Sequence, residues 1–326
     1  MTQTILVTGA LGCIGAWAVE RILARGDSPV VFDMGSDPRR IRDLVGDGDL
    51  ERITFVQGDI AEPDALRACI EDHAVQRIVH LAGLQVPFCR ANPMLGARVN
   101  VLGTVNVFEV AKACGIERVA YASSAAVYER EDEVRAEGAP DESATPHPST
   151  HYGVYKLANE GTARVSFMEN GTSSMGLRPL TVYGVGRDQG MTSGPTKAIK
   201  ATVVGRPYTI GFGGRTDFLY AKDCAEAFLA AAESGPDGAH VFNLAGDSLA
   251  VTEFTAELAL QASESLEFVT VDGPELPVPG AIDGARLNEV LPGLEHTSIA
   301  DGIAETLTRF RALHAAGSLD TADLDA

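Results

Sequence analysis

Tyr152 and Lys156 stand four residues apart, a spacing that places two side chains on one face of a helix, where both can reach one reacting atom. A Tyr with a Lys is an acid/base device. A free phenol has a pKa of about 10, so at neutral pH it takes a proton from an alcohol only where a nearby cation favours the phenolate. Lys156 is that cation. Tyr155 is adjacent to Lys156 and on a helix points about a quarter-turn away, so Tyr152 is read as the acid/base and Tyr155 as its neighbour. Taken alone, the same spacing describes an exposed helix face equally well, and the choice rests on the elements around it.

The first such element is a phosphate cradle. Thr4-Ile5-Leu6-Val7-Thr8 is a short apolar run followed at once by Gly9-Ala10-Leu11-Gly12-Cys13-Ile14-Gly15 and then by helical spacing through Trp17, Val19, Ile22 and Leu23. This is strand, glycine turn, helix. Gly9 permits the tight turn, Gly12 lets backbone approach a pyrophosphate, and Gly15 lets helix and strand pack, while the first amides of the helix face the negative charge. The spacing is GxxGxxG rather than the commoner GxGxxG. A second strand, Pro29-Val30-Val31-Phe32-Asp33, ends in an acid about twenty residues on, where a carboxylate accepts the hydroxyls of an adenosine ribose. Asp33 therefore favours NAD over NADP, although Arg39, Arg40 and Arg42 follow closely enough to offset it.

Composition narrows the class. The chain has 326 residues, 45% of them hydrophobic, and a net charge of -19, which suits a globular enzyme and repels a nucleic-acid backbone. Its five cysteines lack CxxC spacing and the chain opens directly into a strand, so a reducing cytoplasm is expected. No apolar run approaches the ~20 residues that cross a bilayer, and no metal-ligand motif is present.

Strand and helix signals then alternate: Ile53 to Gln57, a helix from Pro63 to Asp72, Arg77 to Leu81, a long helix from about Pro93 to Cys114, and Arg118 to Ala122. Such alternation predicts an α/β, doubly wound parallel sheet of the Rossmann type. Ligands collect at the carboxyl ends of such strands, where Asp59-Ile60, Leu81-Ala82-Gly83 and Ser123-Ser124 each sit just past a strand. A smaller, discontinuous C-terminal substrate lobe is expected, with residues 1–180 and about 215–248 forming the nucleotide-binding part, 181–214 and 249–314 the substrate lobe, and 315–326 a flexible tail.

With these residues the chain resembles the extended short-chain dehydrogenase/reductases of the NAD-dependent epimerase/dehydratase family, in Thr8 to Gly15, Asp33, Asp59-Ile60, Leu81 to Gly83, Asn100 to Thr104, Ser123 to Tyr128, Tyr152 to Lys156, Arg178 to Gly184 and Asp217 to Asp223. The resemblance implies that Tyr152 is the acid/base, that Lys156 holds the nicotinamide ribose and lowers the phenol's pKa, and that Ser124 hydrogen-bonds the reacting oxygen while Ser123 lies nearer the cofactor. It likewise assigns Asn100 and Pro179 to the cofactor site, and Gln85, Arg187, Gln189 and Thr192 to candidate substrate contacts. A homodimer built on the helices from about Pro93 and from Tyr152 is a further implication. Residues 129–150 form a polar loop expected to rim the site, with Glu129 where relatives usually carry glycine.

Three chemistries share this scaffold. Dehydration needs an acid pair after the catalytic hydroxyl, in the pattern Thr-Asp-Glu-Val-Tyr; here Ala125 and Ala126 stand there and cannot shuttle a proton. Nucleotide-sugar epimerisation uses a diphosphate clamp with Arg directly before the Asp-Phe pair. That position is Thr216, with Arg215 displaced by one and so turned to the other strand face, and Pro279 to Asp283 also lacks the usual Arg. The leading expectation is therefore NAD-dependent hydride transfer on a small non-nucleotide sugar, sugar acid, polyol or hydroxy acid. A nucleotide-sugar epimerase and a non-catalytic NAD sensor are the alternatives.

Overall fold

The computed structural model describes residues 2–128, 138–262 and 268–325. Among the described residues twelve strands appear in chain order: β1 Thr4–Thr8, β2 Ser28–Asp33, β3 Thr54–Gln57, β4 Arg77–His80, β5 Arg118–Ala122, β6 Ser173–Pro179, β7 Thr181–Tyr183, β8 Tyr208–Ile210, β9 Arg215–Tyr220, β10 Ala239–Leu244, β11 Asp247–Ala250 and β12 Val269–Val271. Seven of them form one sheet in the order β10-β6-β5-β4-β1-β2-β3, with every pairing parallel. Near-continuous burial along β1 and β2 is what a parallel sheet covered on both faces demands. At the edge, β3 alternates half-buried and exposed residues. The strand order reverses between β1 and β4, which opens the crevice where ligands of doubly wound sheets lie.

A three-stranded sheet, β11-β9-β7, is fastened to the main sheet by aromatic packing. Trp17, on the helix Cys13–Ala24, meets Tyr220 of β9 edge-on at 5.6 Å, and Tyr183 of β7 packs on Tyr220 and Phe254 at 5.5 and 5.4 Å. Such pairs add to the burial of large apolar surfaces. The helix that follows the glycine turn thus also anchors this second sheet. Of the segment 215–248, β10 joins the main sheet beside β6, whereas β9 pairs with β7 and β11.

Two further features differ from expectation. The long helix after Pro93 is not uniform: α-helical Pro93–Ala97 passes through a π-turn, Arg98–Leu102, before α-helical Gly103–Ala113. Turns of this kind widen a helix locally and concentrate at functional sites; Asn100 is its buried residue. The C-terminal segment, expected to be a flexible tail, instead ends in a short 3-10 helix, Ala322–Asp325. Its acids find cations: Asp323 pairs with Lys200 at 2.7 Å, Asp320 with Arg39 at 3.2 Å, and Asp325 with Arg206. Lys200 is only 5% exposed, which makes its partner costly to lose. Glu129, at the entry to the polar loop, lies outside the described residues.

Candidate active site

A cavity of about 430 Å³ runs along the carboxyl ends of the strands. It collects Gly9, Gly12, Cys13, Ile14, Gly15, Asp33, Asp59, Ile60, Leu81, Ala82 and Gly83 at one end, and Gln85, Ser123, Ser124, Tyr152, Lys156, Pro179, Arg187 and Thr192 toward the other. Asn100 adjoins this wall without lining it. Gln189 is exposed and outside the cavity: its loop is irregular, so no periodicity says which side chains face inward. The lining also includes residues that spacing does not reveal, among them Met34, Arg90, Met191 and the apolar run Leu276-Pro277-Val278.

At the cofactor end the binding elements are mostly backbone. Gly9 has φ +68°, and a Cβ there would sit 2.6 Å from the Cα of Ala82, so only glycine allows β1 to turn this close to the strand beside it. The helix Cys13–Ala24 starts at Gly12 with no side-chain cap, leaving its first amides available to an anion. Asp33 is held in place by accepting from Leu11 N at 3.0 Å and Gly35 N at 2.9 Å. The arginines that could have offset it are occupied. Arg40 is bidentate on Asp188 and donates to Leu11 O at 2.7 Å, Arg39 also binds Asp188 at 2.7 Å, and Arg42 pairs with Asp47. Asp188 is 6% exposed; burial raises its carboxyl, but its hydrogen bonds and charge interactions with Arg40 and Arg39 outweigh that and hold it below the ordinary range.

At the reaction end, Tyr152 and Lys156 share the helix His151–Asn170, whose N-cap Thr150 accepts from Gly153 N at 3.1 Å. The helix can press on the turn after β5 because Gly153 lacks a side chain: a Cβ there would meet Ala126 O at 2.3 Å. That approach sets Tyr152 beside Ser124, whose Oγ accepts from Ala126 N at 3.1 Å. Burial pushes the phenol up from its ordinary value, while Ser124 and the charge of Arg187 pull it back. Lys156 lies 5.5 Å from the centre of the Tyr152 ring and donates to Ala122 O at 2.7 Å. Burial pushes its own ammonium down to about 8. Beside it, Asn100 donates to Gly96 O and Leu84 O, yet its Oδ1 is buried with no partner. A Cβ on Gly83 would fall 2.7 Å from that oxygen and 3.4 Å from Lys156 Nζ, so the three converge on one spot of the wall.

Behind Ser124 a buried polar chain fixes the strand ends. Ser123 Oγ donates to Glu160 at 2.5 Å, Glu160 takes Arg178 through both carboxylate oxygens, and Arg178 donates to Tyr128, which donates to Asn243 Oδ1 at 2.9 Å. Ser123 lines the cavity but spends its hydroxyl on this chain. The displaced Arg215 is half-exposed and binds Ser248 O and Glu253, while Thr216 is fully buried and bonds Thr181 Oγ1 at 2.7 Å.

The cavity fits a dinucleotide on the observations above: uncapped amides at the glycine turn, an acid oriented at the end of β2, and an orphaned Asn100 oxygen beside Lys156. Among the described residues, no helix is long and apolar enough to cross a membrane. Comparison with known proteins agrees with this reading. The model of the NAD dependent epimerase/dehydratase family matches residues 5–245. The UDP-glucose 4-epimerase of Mycolicibacterium smegmatis is 30% identical over 325 residues, covering 94% of this chain and 98% of that protein; that of Erwinia amylovora is 29% identical, covering 77% and 80%. Among solved structures, MoeE5 in complex with UDP-glucose and NAD superposes with a TM-score of 0.79 at 26% identity, covering 95% of this chain and 99% of that one. The Thermus thermophilus UDP-glucose 4-epimerase complex with NAD has the same fold at a TM-score of 0.79 and 24% identity, covering 95% and 99%. The chain is an NAD-dependent enzyme and belongs to the NAD dependent epimerase/dehydratase family.

Proposed function

We propose that the protein interconverts stereoisomers of a nucleotide-linked sugar by reversible oxidation of a secondary hydroxyl, with Tyr152 as the acid/base. The observation that carries the chemistry is the convergence of Ser124, Tyr152 and Lys156 on one end of the cavity whose other end is a glycine turn and an oriented acid. The nucleotide-linked substrate is supported by likeness to UDP-glucose 4-epimerases over nearly the full chain, in preference to the small unclamped substrate expected from the missing arginines. When bound, NAD accepts the hydride leaving the sugar carbon and later returns it. Tyr152 takes the hydroxyl proton as the carbon is oxidised and gives it back on reduction. Ser124, beside the phenol, donates to the substrate oxygen and holds it within reach, and the buried chain from Ser123 to Asn243 keeps that turn rigid. General acid/base transfer of this kind contributes about 10²- to 10⁴-fold, and positioning supplies a comparable or larger share.

The test is to incubate the purified protein with UDP-glucose or UDP-galactose and follow the anomeric signals by NMR alongside absorbance of the reduced cofactor. Isomer conversion without net cofactor reduction is expected. Net reduction with free sugars, aldonates or polyols, and none with nucleotide sugars, would replace this reading with a dehydrogenase. That second reading has its own support: Thr216 is buried on Thr181, Arg215 turns outward, and Leu276-Pro277-Val278 gives the cavity an apolar wall. We further propose a homodimer through the helices that hold Asn100 and Tyr152, whose outer faces expose Leu102, Val165 and Met168; sedimentation of a single species at monomer mass would refute it.

A further inference from the structure

Of the two guanidiniums that line the cavity, Arg90 is exposed and Arg187 is half-buried, with no acid partner among the described residues. Arg187 lines the reaction end; its Nη2 donates to Thr192 Oγ1 at 2.9 Å, and its Nε is buried without a partner. The carboxylate next to it in the chain, Asp188, is taken by Arg39 and Arg40 at 2.7 Å each. Across the loop, Gln85 Oε1 is also buried and unpartnered. The two groups flank Gly190, where a Cβ would fall 2.0 Å from the Gln85 oxygen and 3.4 Å from Arg187 Nη2, and where φ is +96°. A charged planar donor and a neutral acceptor are thus held side by side around a position only glycine can fill, and the donor's charge already reaches the Tyr152 phenol.

We propose that Arg187, Thr192 and Gln85 form a carboxylate-recognition subsite, so that the oxidised sugar is itself an acid, carrying a carboxylate with a neighbouring hydroxyl as in a uronic or aldonic acid. The Nε and Nη2 edge of Arg187 presents parallel donors that match one carboxylate. Gln85 Oε1 accepts the adjacent hydroxyl. A single fork suits one carboxylate better than a diphosphate, whose several further oxygens gain nothing from an apolar wall such as Leu276-Pro277-Val278. The subsite rests on oxidation at Tyr152 but not on the nucleotide.

The experiment titrates NAD-saturated protein, by calorimetry, with two matched pairs: UDP-glucuronate against UDP-glucose, and free glucuronate against glucose. In whichever pair binds, the acid is expected to bind about tenfold or more tightly, the range of hydrogen bonds to charged groups. Arg187→Met should bring the two members of that pair together, and Arg187→Lys, a point charge without the fork, should restore only part of the gap. Equal binding of acid and neutral sugar, an acid preference that survives Arg187→Met, or no detectable binding of either acid would overturn the subsite. If Arg187→Met fails to melt like the parent, Arg187→Lys decides: retention of the full preference would overturn it. Acid preference confined to the free sugars sinks the nucleotide-linked reading and leaves the subsite standing; equal binding of both UDP-sugars does the reverse.

Discussion

The two ends of the cavity are built by different means. At the proposed cofactor end the surface is mostly main chain: Gly9 in a left-handed turn against Ala82, uncapped amides at the start of Cys13–Ala24, and Asp33 oriented by two backbone N–H groups. At the proposed reaction end the lining is made of side chains from separate segments: Ser124 after β5, Tyr152 and Lys156 on a later helix, Gln85 before a short helix, Arg187 and Thr192 on a glycine-rich loop. A common coenzyme needs one unchanging cradle, which backbone supplies at short sequence range. Substrate recognition can be altered one side chain at a time without disturbing that cradle.

The comparison predicts how each end breaks, and the largest effect belongs to chemistry. Replacing Tyr152 by Phe should lower turnover by about 10²- to 10⁴-fold while NAD binding, read by fluorescence titration, stays intact; a variant that keeps half its activity would remove Tyr152 from the mechanism.

Next in size is a stability effect at Lys156. Its ammonium is pushed down from 10.5 to about 8 by burial, a shift worth about 3 kcal/mol at ~1.4 kcal/mol per unit. Between these values the unfolded chain binds more protons than the folded one, so stability rises with pH across that window, and the burial penalty is fully present below pH 8. Lys156→Met should therefore make the cofactor-free protein more stable at pH 7 and remove this group's rise between pH 8 and 10.5, as read by urea unfolding at several pH values. Equal stability of parent and variant at neutral pH would mean that the penalty is absent.

Asp188 joins the two ends, since it ties Arg40, which touches Leu11 of the glycine turn, to the loop that carries Arg187. Asp188→Ala leaves two partly exposed guanidiniums without their acid and should cost about 1–3 kcal/mol in denaturant unfolding. Asp188→Asn, which keeps acceptors, should cost less; identical losses would assign the effect to packing. Smallest is Gly12→Ala. The added Cβ lies 3.1 Å from Gly9 O, a crowding the loop can absorb, so folding should persist while NAD affinity falls by about tenfold, or ~1.4 kcal/mol. Unchanged affinity would show that the cradle does not close on the pyrophosphate at this residue.

How much could be read from residues alone follows the same division. Gly9 to Gly15, Asp33 and the Tyr152/Lys156 pair were legible because each is set by local geometry at fixed spacing, and the structure brings all of them to one cavity. Arg187 and Gln189 looked alike as candidates, yet the first lines the cavity and the second faces solvent. Their loop has neither helical nor strand period to tell them apart. The small acidic tail read as frayed because composition alone counts its charges and not their partners; Lys200, Arg39 and Arg206 lie 119 residues or more before the acids they pair with.

By itself the sequence determined the parallel sheet and the glycine turn of the coenzyme site, and it pointed to Tyr152 as the candidate acid/base, since these depend on hydrophobic period, glycine placement and a four-residue helical step. Only the tertiary structure brought a second cation, Arg187, to the phenol. A bond to Ala122 O holds the Lys156 ammonium over the Tyr152 ring, and Arg187, from a segment 35 residues away in sequence, adds a second positive charge that favours the phenolate. Electrostatic influence depends on distance and burial in the folded chain, and neither is written in the spacing of residues.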